Sequence, residues 1–140
     1  MGYSDFTYPS GVGSSIVGIT AEKPESKLWW NDGSWWASMW STGGNAYHIY
    51  QLDWATQTWI DTGTPLDDRK PTMADVLWDG SKLYVVSHIW VDNKGGTAAA
   101  GQRGELFRYS YSSGIYTLDA GFPVEVNSSV SEALVLDKDS

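Results

Sequence analysis

Apolar residues in this chain fall into short runs divided by turn signals. Leu28-Trp29-Trp30 and Trp35-Trp36-Ala37-Ser38-Met39-Trp40 flank the four residues Asn31-Asp32-Gly33-Ser34. An Asp-Gly pair between β-prone runs predicts a hairpin, because glycine accepts the positive φ that tight primed turns require. The construction returns 47 residues later (Asp32 to Asp79) as Asp75-Val76-Leu77-Trp78-Asp79-Gly80-Ser81-Lys82-Leu83-Tyr84-Val85-Val86-Ser87. A third copy opens 58 residues further on (Asp79 to Asp137) at Ala133-Leu134-Val135-Leu136-Asp137-Lys138-Asp139-Ser140. The sequence thus reads as two repeats and the opening of a third.

Each hairpin is followed by an alternating stretch. Tyr50, Leu52 and Trp54 fall on one face of a predicted third strand and Ile49, Gln51 and Asp53 on the other; in the second repeat Phe107, Tyr109 and Tyr111 take the places of Tyr50, Leu52 and Trp54. Short fourth strands follow at Thr58-Trp59-Ile60-Asp61 and Ile115-Tyr116-Thr117-Leu118. They run into a recurring phrase, Asp61-Thr62-Gly63-Thr64-Pro65 and Asp119-Ala120-Gly121-Phe122-Pro123. Ahead of the first hairpin, Ile16-Val17-Gly18-Ile19 is a β-prone run with no partner of its own. The predicted organisation is an N-terminal segment with a closing strand (1–26), a first four-stranded unit (27–65), a second (73–123) and the first strand of a third (131–140). The extra length of the second repeat lies in a loop over 89–103.

Composition supports an all-β reading: nine Trp, eight Tyr and fifteen Gly stand in 140 residues, and no amphipathic helix of useful length is visible. A formal net charge of −8 argues against binding the phosphates of nucleic acid and against a basic membrane-surface patch. The chain has no Cys, so no disulfide framework or thiolate chemistry is available. Met1-Gly2-Tyr3-Ser4-Asp5 lacks the positive end and apolar middle of a signal peptide. No apolar run is long enough for a membrane-spanning helix. A soluble chain is expected.

Four-stranded antiparallel meanders repeated about every 40–50 residues are the sequence signature of β-propeller blades. The expected fold class is therefore all-β, with two four-stranded antiparallel blades plus extra N- and C-terminal strands. The stretch Ser26-Lys27-Leu28-Trp29-Trp30-Asn31-Asp32-Gly33-Ser34-Trp35-Trp36, the alternating run from Tyr47 to Trp54 and the run from Ala74 to Tyr84 resemble bacterial propeller proteins of the sialidase-like type. The resemblance covers residues 25–140. It implies that the strand opening at Leu134 continues into further blades, that the natural setting is extracellular or at the cell surface, and that the chain is the first part of a longer propeller.

In a propeller, the loops from second to third strand and from one blade to the next emerge on one face. Here they are 41–45, 63–72, 89–103 and 121–130, and they gather Trp40, Asp67, Asp68, Arg69, Lys70, His88, Trp90, Asp92, Asn93 and Arg103. Rings beside carboxylates and an Arg suit a sugar, whose apolar face stacks on a ring while its hydroxyls take directed hydrogen bonds. The candidate ligand-binding set is Trp40, Asp67, Asp68, Arg69, His88, Trp90, Asp92 and Arg103. Most Trp are expected to pack between blades instead, and the acidic and basic residues at 67–70 also read as a solvated loop cluster.

The resemblance would bring to a true sialidase an arginine triad, a Tyr-Glu nucleophile pair, an Asp acid and Asp-box turns. This chain departs from that pattern. Its third-to-fourth turns are Trp54-Ala55-Thr56-Gln57 and Tyr111-Ser112-Ser113-Gly114, and it has only three Arg, Arg69, Arg103 and Arg108. Asp67, Asp68 and Asp92 could in principle supply two carboxylates, with nothing to set their separation. His48 and His88 lack a third ligand at metal spacing. Asp137-Lys138-Asp139 sits at a hairpin turn rather than in a calcium loop, and Asn127-Ser128-Ser129 fits the short glycosylation pattern. The reading is a non-catalytic binding or assembly module with no cofactor or metal, binding carbohydrate or protein through the loop face and self-associating into a ring or filament. The alternative is a fragment of a sialidase-like hydrolase whose catalytic residues lie in other blades.

Overall fold

The computed structural model describes residues 25–69, 72–89, 103–128 and 133–139. Among them there is no helix. Nine strands run in the order β1 (Leu28–Asn31), β2 (Ser34–Ser41), β3 (Ala46–Asp53), β4 (Thr58–Pro65), β5 (Thr72–Trp78), β6 (Lys82–Ile89), β7 (Gly104–Ser112), β8 (Ile115–Leu118) and β9 (Val124–Asn127). They form two antiparallel sheets, β1-β2-β3-β4 and β5-β6-β7-β8, with β9 added against β7. The predicted run at Ile16 to Ile19 lies outside the described residues. Where a further strand was expected near the C-terminus, residues 133–139 carry no ladder pairing. They are held by single bonds such as Leu136 N to Asp75 Oδ2, 2.7 Å.

Local chemistry explains the turns. Asp32 (φ 50°) and Gly33 (φ 71°) both adopt the left-handed conformation between the paired residues Asn31 and Ser34, which is the two-residue primed turn that twists with its strands. The second hairpin closes differently. The Asp79 carboxylate accepts the backbone N–H groups of Ser81 and Lys82, each at 2.7 Å. Those two bonds hold the carboxyl below its usual range.

The ladders set the correspondence between the sheets. Trp30 pairs with Trp35 just outside the residues 31–34, and Trp78 pairs with Leu83 just outside 79–82, so Trp30 matches Trp78. In structure the hairpins are therefore offset by 48 residues, one more than the Asp-to-Asp spacing. Ala37 pairs with Tyr50 and Val85 with Phe107, so Tyr50, Leu52 and Trp54 match Phe107, Tyr109 and Tyr111.

The two sheets bury opposite faces against each other. Residues opposed in a ladder share a face, so Trp29, Trp36 and Ile49 form one face of the first sheet, and Val76, Leu83, Val85, Phe107, Tyr109 and Tyr116 one face of the second. These two faces, with Leu66 and Ala74, make the core. Trp36 meets Tyr116 and Tyr111 edge to face at 5.0 and 5.8 Å between centroids. By correspondence, the face of the first sheet that matches the buried face of the second carries Leu28, Trp30, Trp35, Ala37, Tyr50, Leu52 and Trp54. That face is uncovered in part: Trp54, Trp30 and Trp35 are 52, 48 and 39% exposed, whereas Ala37 and Tyr50 are buried. The expectation that most Trp pack between sheets holds for Trp29, Trp36 and Trp78, while Trp40 is buried beside Tyr47. It fails for Trp30, Trp35 and Trp54, which stay exposed on that face.

Tyr116 is the polar point of the core. Its hydroxyl accepts from Trp29 Nε1 at 2.8 Å and Asn31 Nδ2 at 2.9 Å. Burial raises its pKa against those two donors, to about 12. A proton held more tightly in the folded state than in the unfolded one contributes stability in full below the unfolded phenol pKa near 10 and loses it as pH rises toward about 12. Burial raises Tyr47 and Tyr109 in the same direction, so the expected result is a fall in melting temperature in that alkaline window that is smaller in Tyr116→Phe; an unchanged fall in the variant would dismiss Tyr116 as a source.

Candidate functional site

The loop residues singled out by sequence partly converge. Beyond the end of β4, Leu66 N donates to Tyr47 O at 2.6 Å and Tyr47 N to Asp67 O at 3.2 Å, which turns the Asp67 side chain inward. Asp67 is buried. Its carboxylate accepts from Arg69 Nε at 2.9 Å and from an Arg69 terminal nitrogen at 2.6 Å, and from Ser87 Oγ at 2.6 Å. The guanidinium also donates to Arg103 O at 2.9 Å and lies 3.3 Å from Glu105 Oε2. Arg103 Nε closes the chain on Glu105 Oε1 at 2.5 Å. Burial opposes the charge on Arg69, but the Asp67 hydrogen bonds and charge, with Glu105, outweigh it and raise the guanidinium above its ordinary pKa.

Asp67, Arg69 and Arg103 thus belong to one network, with Ser87 and Glu105 as members the sequence reading missed. A fork-on-carboxylate pairing of this kind is strong and directional. It also consumes the donors a ligand would need. The network clamps the β4–β5 connection to β6 and β7. The remaining members of the predicted set do not join it. Trp40 is buried, edge to face with Tyr47 at 5.1 Å, so its ring is core rather than a sugar platform. Asp68 is exposed beside the network. Trp90 and Asp92 lie outside the described residues, as do Lys70 and Asn93.

His88 sits in a second, drier place. It is fully buried on the opposite face of β6 from Ser87, with Nδ1 3.3 Å from Ile89 O and Nε2 3.6 Å from Glu25 Oε1. Glu25 in turn meets Lys27 Nζ at 3.3 Å, and that ammonium donates to Ala74 O. Burial works to raise the Glu25 pKa, but the His88 ring and Lys27 outweigh it, leaving the carboxyl below its usual value. These charges lie at the seam where Val76 N donates to Ser26 O, so they fasten the start of β1 to β5.

A third cluster was not singled out by the sequence reading. Asp119 accepts from Ser110 Oγ at 2.5 Å, Lys82 Nζ at 2.9 Å and Arg108 Nε at 2.7 Å. Those partners, Ser110 first, hold its carboxyl well below the carboxylate range. The available signal was the alternation that puts Lys82, Arg108 and Ser110 on one face of paired strands. The Arg108 guanidinium also lies 4.5 Å over the Phe122 ring. Among the described residues no group of three or more His, Asp or Glu is placed to hold a metal ion, and no helix is long and apolar enough to cross a membrane.

No protein-family model matches the chain, and neither a curated protein nor a solved structure matches it.

Proposed function

We propose that this chain is a non-catalytic assembly module, two adjoining blades of a β-propeller of the sialidase-like type, working through its sheet faces rather than its loop side chains. The observation that carries the reading is the relation between the sheets. Corresponding residues fall on opposite sides of the inter-sheet contact: Trp29 and Trp36 line it from the first sheet, while their matches Leu77 and Tyr84 lie on the far side of the second. Such a relation is head to tail, and a head-to-tail contact can be repeated without limit until it closes. Propellers typically close with about 4–8 blades, so two cannot close alone.

The loop face supports binding of carbohydrate less well. Its converging residues, Asp67, Arg69 and Arg103, are spent on one another and on Glu105 and Ser87. Light scattering coupled to size exclusion tests the assembly reading. At micromolar concentration the expected mass is a multiple of 15.4 kDa. A sharp single-chain species across the concentration range would refute it.

A further inference from the structure

The partly uncovered face of the first sheet repeats, position by position, a face that is buried in the second. Leu28, Trp30, Trp35, Ala37, Tyr50, Leu52 and Trp54 correspond to Val76, Trp78, Leu83, Val85, Phe107, Tyr109 and Tyr111. Every one of the seven is apolar or aromatic on both sheets. The second set is covered by Trp29, Trp36 and Ile49. In the first set Ala37 and Tyr50 are buried and Leu52 half-buried, but Leu28, Trp30, Trp35 and Trp54 are open, and the open part centres on three indoles: Trp30 lies 5.4 Å from Trp35 and 6.3 Å from Trp54 between centroids.

Patches of this kind mark interfaces, and the ring geometry bears on which kind. The three indoles meet edge to face, at interplanar angles of 73° and 62°. They present no common plane on which successive sugar rings could stack. Edge-to-face packing is instead how Trp36 meets Tyr111 and Tyr116 inside the molecule.

The far face of the second sheet supplies the complement. Leu77, Tyr84 and Leu106, the matches of Trp29, Trp36 and Ile49, are half-buried. The polar positions correspond too: Ser34, Gln51 and Asp53 match Lys82, Arg108 and Ser110, toward the same end of each sheet. A face with corresponding positions is therefore present on the same chain; Met73, Asp75, Val86 and His88 of that face are buried, and its accessible part is Leu77, Tyr84 and Leu106.

We infer that the Trp30, Trp35 and Trp54 face docks the Leu77, Tyr84 and Leu106 face of a second copy of this chain, repeating the internal contact between the sheets. The inference rests on the assembly reading and gives it a surface and a partner. The internal pair Trp36 and Tyr111 becomes Tyr84 of one copy against Trp54 of the next. Residues 133–139, whose side chains at Leu136, Asp137 and Lys138 border Leu77 and Tyr84 without pairing as a strand, give way along the β5 margin.

The absence of Cys makes a clean test possible. Trp54→Cys and Tyr84→Cys are prepared separately, mixed, and oxidised with oxidised glutathione. The expected result is a disulfide-linked dimer from the mixture in several-fold excess over either variant alone. Strong cross-linking of Trp54→Cys by itself would mean a two-fold face-to-face contact and overturn the inference. Association by light scattering with no cross-link in the mixture would also overturn it while leaving the assembly reading intact; a single-chain mass throughout would remove both. Trp54→Lys adds a second readout. Because the ring is more than half exposed (52%), the melting temperature should shift by only a few degrees while the mass falls to 15.4 kDa. Unchanged association in that variant would show that the indole face is not the contact.

Discussion

Trp36→Ala is expected to destabilise the fold by about 3–5 kcal/mol, the range for emptying a large aromatic site in a packed interior. The ring has no exposed surface. It touches Tyr111 and Tyr116 across the sheet interface and donates from Nε1 to Asn31 O at 2.9 Å, so its loss opens a cavity and removes a hydrogen bond together. Small domains hold only about 5–15 kcal/mol in total, so much of the margin goes. Denaturant unfolding of Trp36→Ala beside Trp54→Ala checks the claim, because both remove an indole from the first sheet, one from β2 and one from the turn that follows β3. The exposed Trp54 should cost no more than about 1 kcal/mol in the single chain. Equal losses would mean that the two faces of the first sheet are equally covered, contrary to the burial of Trp36 and exposure of Trp54.

The second large effect concerns the clamp on the β4–β5 connection. Asp67→Ala leaves the Arg69 guanidinium, whose side chain is only 17% exposed, facing Glu105 alone with the Ser87 hydroxyl unpaired. Removing one partner of a buried pair typically costs about 3–5 kcal/mol, because the remaining charge stays desolvated. Arg69 is not fully buried, so the lower end, about 3 kcal/mol, is expected. The double variant Asp67→Ala, Arg69→Met should recover most of that loss, since taking out both charges removes the penalty as well as the attraction. A double variant as unstable as Asp67→Ala would mean that the packing of the connection, and not the ion pair, holds it. A sugar site would behave otherwise: affinity would fall in Asp67→Ala with little change in stability.

How far the chain could be read without its structure depends on the range of each interaction. The strands and turns were legible because their causes are local. Asp32-Gly33 brings its own left-handed conformation to the first hairpin, and Asp79 caps the second with its own carboxylate. The match of Tyr50, Leu52 and Trp54 to Phe107, Tyr109 and Tyr111 was likewise written in the alternation. The one-residue slip between the Asp-to-Asp spacing and the strand correspondence was not, since the same two letters occupy different places in the two turns.

The candidate site was legible only as a collection of residue types. Asp67, Arg69 and Arg103 could be assigned to one end of the sheets, but the partner that makes Asp67 structural, Ser87, is 20 residues away on β6. Glu105 comes from β7 and drew no notice in the sequence.

The amino-acid sequence by itself determined an all-β chain of two related antiparallel sheets, their turns, and the alternation within each strand. Tertiary structure alone decided which face of each sheet is covered. The reason is that Trp29 and Trp30, or Trp35 and Trp36, are neighbours pointing to opposite faces. Both faces of the first sheet are therefore apolar, and period-two patterning cannot rank them. The contact with Tyr111 and Tyr116 selects Trp36 for the core and leaves Trp35 outside. The same contact fixes that the second sheet meets the first with its opposite face, because apolar area drives two sheets together without specifying their order, while the fit of particular rings does.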